Sequence, residues 1–246
     1  SMAASANSAA DQDTNESKDA SPNEQQQQAK EVRKWDKKLL TDYDTFIFDC
    51  DGVVWLQNAP ISGAKQVLHE LSTSLNKRVL FVSNNSTKDV SMYSGKFEKL
   101  FNLKVEATQI FSSASAAASY LNVLVPEIKQ YLNKIKILLI GSQGLFNMLQ
   151  HEITEKKMEN VSIVWTRKDI PNFDKMAPSD LAEMELDDSV AIVLAGLDQF
   201  YGYNDIALCT RYLREQPHKM HLVGTNDDST FPAKPGILIA GTGSML

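Results

Sequence analysis

Apolar strands that alternate with amphipathic helices are the feature that most restricts the fold of this chain. From Thr41 onward, short apolar runs alternate with segments whose apolar residues recur at helical spacing. Runs typical of strands in a parallel sheet lie at Thr45–Phe48, 79–82, 135–140, 161–164, 190–195 and 220–223. Helices are predicted near 64–75, 93–101, 113–121, 143–151 and 204–213. Because strand–helix–strand units need right-handed crossovers, the pattern predicts a doubly wound, Rossmann-like α/β fold with a parallel sheet.

Composition restricts the partners and the compartment. The 246 residues are 43% apolar, which is enough for a sizeable core, and the net charge of −6 is unlike the basic surface of nucleic-acid binders. Apolar runs fall short of the roughly 18–20 residues of a membrane span. The two cysteines, Cys50 and Cys209, form no disulfide framework. We therefore expect no nucleic acid, no membrane span and a cytoplasmic location.

The amino-terminal segment, 1–40, is predicted to be a disordered tail. It is rich in Ala, Ser, Asn, Asp and Glu, it contains the run Gln25 to Gln28, and large apolar residues are almost absent before Val32. Such a composition buries too little apolar surface to offset the entropy lost on ordering.

Two carboxylates stand where the first predicted strand ends. Asp49 and Asp51 are one residue apart and Gly52 follows them. Ligands of open α/β sheets bind at the carboxyl ends of the strands, and paired acids there favour a hard cation such as Mg²⁺. Gly52 permits a sharp turn whose amides approach an anion. An aspartate at this position can also attack phosphorus, provided that a second group moves the protons.

The next strand, 79–82, also ends in polar residues, which are Ser83, Asn84, Asn85, Ser86 and Thr87. Since parallel strands end at the same sheet edge, these donors are predicted to face the same crevice and to hold a phosphoryl group. Two alternatives remain at this point: the Asp-x-Asp-Gly segment only caps a strand, or Ser83 is the N-cap of the following helix.

The ordered set of these segments resembles the haloacid dehalogenase superfamily, and more narrowly its p-nitrophenylphosphatase/phosphoglycolate phosphatase group. The resemblance runs from about Tyr43 to the end of the chain. The segments that carry it are Asp49-Cys50-Asp51-Gly52-Val53-Val54-Trp55, 81–87, 195–198, Val223-Gly224-Thr225-Asn226-Asp227-Asp228 and Ala240-Gly241-Thr242-Gly243-Ser244.

The resemblance implies a role for each site residue. Asp49 is the expected nucleophile and Asp51 the general acid/base, and the two are the expected Mg²⁺ ligands, Asp51 through its backbone carbonyl. Gly52, Ser83 and Asn84 are expected to bind the phosphoryl group. The expected reaction is hydrolysis of small phosphate esters, such as phosphoglycolate, glycerol phosphate or p-nitrophenyl phosphate, through an aspartyl-phosphate.

The resemblance also implies a domain division. We expect the first part of the core over 41–112, an inserted α/β cap of the C2 type over 113–224, and a return to the core over 225–246. The cap is expected to mediate a homodimer. The family pattern continues beyond Leu246 with a lysine and a Gly-Asp segment, so the core is expected to be truncated at its C-terminal end. The alternative function is therefore a truncated, non-catalytic binding or dimerisation module.

Three further features have structural interpretations. The segment 141–144 follows a strand and opens a helix, but it lacks the Lys-Ser/Thr of a phosphate-binding loop, so a strand–helix turn inside the cap is predicted. Cys50 lies between the two acids and is predicted to point to the opposite side of the strand, where it packs. Lys234 is predicted to be a solvated loop residue and no substitute for the family's lysine.

Overall fold

The computed structural model describes residues 37–234 and 237–244. The chain divides into two units, 1–44 and 45–246. Helix α1 (Lys37–Asp42) belongs to the first unit, and the hydroxyl of Thr41 donates to the carbonyl of Lys38. Residues 1–36 of the predicted tail lie outside the described residues. Its last four positions, 37–40, belong to helix α1.

The second unit alternates strands and helices. Its strands are β1 (Thr45–Asp49), β2 (Trp55–Leu56), β3 (Ala59–Pro60), β4 (Arg78–Ser83), β5 (Ile110–Ser112), β6 (Ile135–Ile140), β7 (Val161–Trp165), β8 (Val190–Ala195), β9 (His221–Gly224), β10 (Thr230–Lys234) and β11 (Ile237–Ala240). Its α-helices are α2 (Ala64–His69), which a π-helical turn continues over Glu70–Ser74, α3 (Val90–Phe101), α4 (Ser113–Ile128), α5 (Gln143–Glu155), α6 (Thr166–Asp169), α7 (Pro178–Glu183) and α8 (Tyr203–Glu215). Helix α4 extends well beyond its predicted end at residue 121.

The first sheet is parallel and has the strand order β1-β4-β5. One face is packed, with the rings of Phe81 and Phe97 4.1 Å apart between β4 and α3. On the other face, the side chain of Ile47 is 63% exposed and that of Phe111 is 50% exposed. A continuous apolar run such as Thr45–Phe48 predicts a strand that is buried on both faces of a parallel sheet. That prediction is wrong for β1. Along the chain, β4 is added beside β1 and β5 is added beside β4, always towards the same edge of the sheet. Right-handed crossovers therefore place α2 and α3 on the same face.

The second sheet is also parallel, with the order β7-β6-β8-β9. From β6 the chain adds β7 on one side, and it then adds β8 and β9 on the other side. This change of direction is the arrangement of a doubly wound sheet, and it places helices on both faces. Helices α4 and α5 pack against Ile137 and Leu139, whereas α7 and α8 pack against Leu138 and Val193. All six residues of β8 are buried. The predicted α/β class with parallel sheets is confirmed.

The segment between Thr166 and Asp188 is long, acidic and contains proline, a composition that predicts a surface excursion, and that prediction is wrong. It contains α6, a 3-10 turn at Phe173–Lys175, and α7. Phe173 and Leu181 are buried in the same apolar cluster as Leu138 of β6. The segment therefore covers one face of the second sheet, because its few apolar residues are spaced to reach that face.

Strands before and after residue 113 lie in different sheets. Ser112 ends β5 and is also the N-cap of α4, where its hydroxyl accepts a hydrogen bond from the amide of Ser115. The domain bounds at 113 and 224 stay predictions. In the part of the chain that the structure describes, every helix is too short or too polar to cross a membrane.

Candidate active site

The ends of β1 and β4 bring the predicted site residues together. The two strands pair in parallel with Asp49 opposite Val82, so the carboxylate of Asp49 lies beside the polar segment that begins at Ser83. Asp49, Asp51, Gly52 and Asn84 all line a pocket of about 530 Å³. Asp49, Ser83 and Asn84 also border a shallower groove of about 470 Å³. The predicted common crevice is therefore present.

The turn after β1 has the conformation that its glycine predicts. Gly52 has a φ of +88°, in the left-handed region that side chains other than glycine rarely adopt. Its amide donates to the carbonyl of Trp55 at 2.7 Å. Cys50 is buried, and burial raises the pKa of its thiol to about 12, so the cysteine packs in the core and supplies no thiolate.

Two side chains hold the carboxylate of Asp51, one at each oxygen. The indole Nε1 of Trp55 donates to Oδ1 at 2.8 Å, and the hydroxyl of Ser83 donates to Oδ2 at 3.3 Å. The two donors come from the first residue of β2 and from the last residue of β4. This cross-link between the two strand ends fixes the direction in which Asp51 faces the pocket.

Ser83 is almost fully buried and its hydroxyl oxygen has several partners. It accepts hydrogen bonds from the hydroxyl of Tyr93 at 2.8 Å and from the amide of Asn85 at 3.2 Å, and it donates to Asp51. The N-cap alternative for Ser83 is wrong, because Asp89 caps α3 by accepting from the amide of Met92 at 3.0 Å. The phosphate-binding role of Ser83 stays a prediction.

Asn84 contacts the segment that follows β9. Its side-chain amide donates to the carboxylate of Asp228, and its carbonyl accepts from Asn226 Nδ2 at 2.8 Å. Asp228 also lines the pocket of about 530 Å³. In the sequence Asp228 stands only inside a resembling segment with no role of its own, because a separation of 144 positions from Asn84 conceals the contact.

Electrostatics at the strand end favour a cation. Burial raises the pKa of Asp49, and the negative charge of Asp51 raises it further, although a hydrogen bond from the amide of Cys50 opposes both effects. A positive charge near the pair would relieve that repulsion. The carboxylate pair is therefore an electrostatically favourable place for a bound cation.

The donor set fits Mg²⁺ better than a transition metal. Within the described ranges, His, Cys, Asp and Glu side chains form no group of three or more that could hold a metal. Mg²⁺ is usually held by one or two carboxylates together with waters and substrate phosphate oxygens. The carboxylate of Asp49 and the backbone carbonyl of Asp51 are hard oxygen donors of that kind, and their role as Mg²⁺ ligands stays a prediction.

The second sheet also reaches the pocket. Leu197, in the loop after β8, lines it, and the amide of Leu197 donates to the hydroxyl of Ser86 at 3.3 Å.

The predicted strand–helix turn at 141–144 is confirmed. Ser142 donates to the carbonyl of Ser86 at 3.3 Å, and a Cβ at Gly144 would lie 2.3 Å from the carbonyl oxygen of Thr87. This close contact requires a glycine at 144.

Fold and site together define a class: an α/β protein whose crevice at the carboxyl ends of parallel strands is bordered by aspartates. Comparison with known proteins narrows it. A profile of the haloacid dehalogenase-like hydrolases matches residues 46–152. A glycerol-3-phosphate phosphatase of Gallus gallus is 32% identical, a 4-nitrophenylphosphatase of Schizosaccharomyces pombe 30%, and the chloroplastic phosphoglycolate phosphatase 1A of Arabidopsis thaliana 33%. Each alignment covers 85% of this chain.

Solved structures have the same fold. A hypothetical protein from Pyrococcus horikoshii is 27% identical with a TM-score of 0.58, over 82% of this chain and 64% of that one. A glycerol phosphate phosphatase from Mycobacterium tuberculosis, in complex with magnesium, is 23% identical with a TM-score of 0.59, over 84% of this chain and 50% of that one. By these matches the chain is similar to the haloacid dehalogenase-like hydrolases, most directly over residues 46–152. It spans 62%, 64% and 53% of the three relatives from chicken, fission yeast and Arabidopsis.

Proposed function

We propose that the protein containing this chain is a Mg²⁺-dependent phosphomonoester hydrolase of small metabolites. One observation carries the proposal: Asp49 and Asp51 lie at the end of β1, beside the polar end of β4, in one pocket. A nucleophilic carboxylate, a second carboxylate within reach of the leaving oxygen, and neighbouring donors are the groups that phosphoryl transfer needs.

The residues perform two linked displacements. An Asp49 oxygen forms a bond to phosphorus while the ester P–O bond breaks, and the protonated Asp51 gives its proton to the leaving alcohol. Asp51 then takes a proton from water, whose oxygen attacks the phosphorus of the aspartyl-phosphate. Inorganic phosphate leaves, and Asp49 is regenerated as a carboxylate.

Asp49 and the backbone carbonyl of Asp51 are the groups that would hold Mg²⁺. The ion, when bound, neutralises negative charge on the phosphoryl group and on the nucleophile. The donor groups of Gly52, Ser83 and Asn84 would orient the phosphoryl oxygens. Burial and the neighbouring Asp51 raise the pKa of Asp49. Positive charge beside Asp49 would therefore favour its ionised, nucleophilic form.

Small esters are the proposed substrates. The relatives are named for glycerol 3-phosphate, 4-nitrophenyl phosphate and phosphoglycolate. The pocket here adds the side chains of Leu56, Leu197 and Phe231 to its polar strand ends, so it offers apolar surface to a leaving group. A cap over 113–224, a homodimer formed through it and a cytoplasmic location belong to the same proposal.

Hydrolysis of p-nitrophenyl phosphate tests the function. The assay is run with and without Mg²⁺, on the 246-residue chain and on the longest natural product of its gene. Asp49→Asn should abolish turnover, whereas Asp188→Asn should leave it intact, because Asp188 is exposed and does not line the pocket. Full activity of Asp49→Asn would exclude Asp49 as the nucleophile.

A second function has one observation in its favour. The open face of the first sheet exposes the apolar side chains of Ile47 and Phe111, a surface suited to contact with another protein segment. A non-catalytic binding module would bind such a segment and would release no p-nitrophenol in the presence of Mg²⁺. Turnover that depends on Asp49 in the 246-residue chain would exclude that alternative.

A further inference from the structure

The carboxylate of Asp51 is held by an indole whose own position is fixed. Trp55 is fully buried, and its Nε1 donates to Asp51 at 2.8 Å. The amides of Gly52 and Trp55 close the same turn, to the carbonyls of Trp55 and Cys50 at 2.7 and 3.2 Å. Asp51 itself is exposed. A buried donor thus restrains one oxygen of an exposed carboxylate.

Two side chains of helix α3 contact the indole ring of Trp55. The ring of Phe97 meets it edge-on with centroids 4.8 Å apart, and the Nζ of Lys96 lies 4.0 Å from the centroid of the indole. Lys96 also donates to the carbonyl of Gln57 at 2.6 Å, which ties the helix to the loop after β2. The ring therefore has little freedom to turn away from Asp51.

The other carboxylate oxygen is reached through a second aromatic residue of α3. The hydroxyl of the fully buried Tyr93 donates to Ser83 at 2.8 Å, and Ser83 donates to Asp51 at 3.3 Å. Burial raises the pKa of Tyr93, so the phenol keeps its proton and remains a donor. Because the phenol occupies a lone pair of Ser83, the serine proton is directed to the carboxylate.

We propose that Trp55 and Tyr93 are positioning residues for Asp51: Trp55 orients the carboxylate directly, and Tyr93 orients it through Ser83. The proposal rests on the proposed function, since it concerns the proton transfers assigned to Asp51. Neither aromatic residue touches the reacting atoms. Their effect is to keep the carboxylate oxygens directed at the leaving group and at the attacking water, where small displacements lower rates steeply.

Two conservative substitutions separate this role from packing. Trp55→Phe keeps an aromatic ring and removes the N–H, and Tyr93→Phe removes only the hydroxyl. In the longest natural product of the gene, we expect Trp55→Phe to lower kcat roughly 10- to 100-fold with KM changed less than about twofold. We expect Tyr93→Phe to lower kcat less, roughly 3- to 10-fold, because it acts through a neutral hydroxyl.

Trp165→Phe is the matched control. Its indole Nε1 is buried and has no hydrogen-bond partner among the described residues, and its ring stacks on Phe146, away from the residues that line the pocket. The same indole-to-phenyl change should leave kcat within about twofold. A loss in Trp165→Phe equal to that in Trp55→Phe would mean that any truncated indole impairs this fold, and the positioning role would then be wrong.

A spectroscopic readout is independent of turnover. The 246-residue chain has three tryptophans, so this chain labelled with ¹⁵N gives three indole N–H resonances, and Trp55→Phe identifies one of them. Asp51→Asn should move the Trp55 resonance more than that of Trp165, because the neutral amide replaces the charged acceptor. An unmoved Trp55 resonance would contradict the contact itself.

The two failures are distinguishable. If the wild-type protein hydrolyses no phosphate ester, the proposed function fails, and the resonance test still decides whether Trp55 holds Asp51. If the wild type turns over and Asp49→Asn does not, but Trp55→Phe retains the wild-type kcat, the function stands and the positioning role is overturned. A kcat loss at constant KM, together with a shifted resonance, supports the role.

Discussion

The side-chain amide of Asn84 donates a hydrogen bond to the carboxylate of Asp228, 144 residues further along the chain. The bond joins the polar end of β4 to the segment that follows β9, and both residues line the same pocket. Asn226 reinforces it by donating to the carbonyl of Asn84 at 2.8 Å. The position of Asn84 in the pocket thus depends on a segment that the sequence places far away.

Removal of the Asp228 carboxylate should therefore impair the site. We expect Asp228→Ala to lower kcat/KM for p-nitrophenyl phosphate roughly 10-fold, since a hydrogen bond to a charged group contributes about 1.5–3 kcal/mol and this one is partly exposed. Asp228→Asn, which keeps an acceptor, should lose less. Asp227→Asn is the control, and an equal loss there would point to the loop as a whole.

Gly144 gives a steric test of the contact between the second sheet and the β4 end. A Cβ there would lie 2.3 Å from the carbonyl oxygen of Thr87, so Gly144→Ala must displace one backbone or the other. We expect a loss of about 1–3 kcal/mol in the free energy of unfolding and a raised KM. Urea denaturation and steady-state kinetics measure the two effects.

Gly95→Ala is the matched control for Gly144→Ala. Gly95 lies inside α3, and no heavy atom outside its own helical turn lies within 4 Å of the Cβ that alanine would add. Alanine is the better helix former by up to about 1 kcal/mol, so this variant should be as stable as the wild type or more so. Equal destabilisation of the two variants would contradict both the open space at Gly95 and the close contact at Gly144.

The ion pairs of Arg167 give a stability prediction in the second sheet region. Its guanidinium contacts the carboxylates of Asp198 at 2.8 Å and Asp205 at 2.7 Å, whose side chains are 5% and 1% exposed. Arg167→Met should lower the free energy of unfolding by about 3–5 kcal/mol, because it leaves buried carboxylates without a cation. Thermal or urea unfolding measures the loss.

The exposed pair of Lys104 and Glu106 is the comparison for Arg167. Its side chains are 86% and 63% exposed, so solvent screens the pair. Lys104→Met should change the free energy of unfolding by less than about 1 kcal/mol. A loss as large as that of Arg167→Met would show that burial does not decide the strength of these pairs.

The lowered pKa of Asp187 should make the stability of the folded protein depend on pH. Burial raises the pKa of Asp187, but hydrogen bonds from Lys136 and Ser189 outweigh it and hold the pKa at about 2, against an ordinary value of 3.8. A depressed pKa in the folded state stabilises the protein above about pH 4, and that contribution is lost as the pH falls through about 4 towards 2. Unfolding free energies of wild type and Asp187→Asn should therefore differ at about pH 5 and converge near pH 2. A constant difference would contradict the depressed pKa.

The strand–helix pattern predicted most of the fold because it depends on local periodicity. The runs at 135–140 and 190–195 became β6 and β8 with the same bounds. The pattern could not show that β4 and β5 are added on the same side of β1, which places their connecting helices on one face only. The predicted burial of Ile47, on the other face, was therefore too high. Strand order is set by long-range pairing, which an apolar run does not encode.

The site was predictable where its residues are adjacent in sequence. Asp49, Asp51 and Gly52 form one turn, and the parallel register explains why Ser83 and Asn84 lie beside it. Trp55 stood in the same segment, four residues after Asp51, yet only the structure shows its N–H on the carboxylate. Tyr93 matched an ordinary core position of a helix, so its hydroxyl gave no sequence signal.

Direct detection of a phosphorylated Asp49 tests the central claim best. The protein is mixed with p-nitrophenyl phosphate and Mg²⁺, quenched in acid within one turnover, digested and examined by mass spectrometry. We expect one phosphoryl group on the peptide that contains Asp49, and none in Asp49→Asn. A phosphoryl group on another residue, or rapid turnover with an unmodified Asp49 at every quench time, would contradict it.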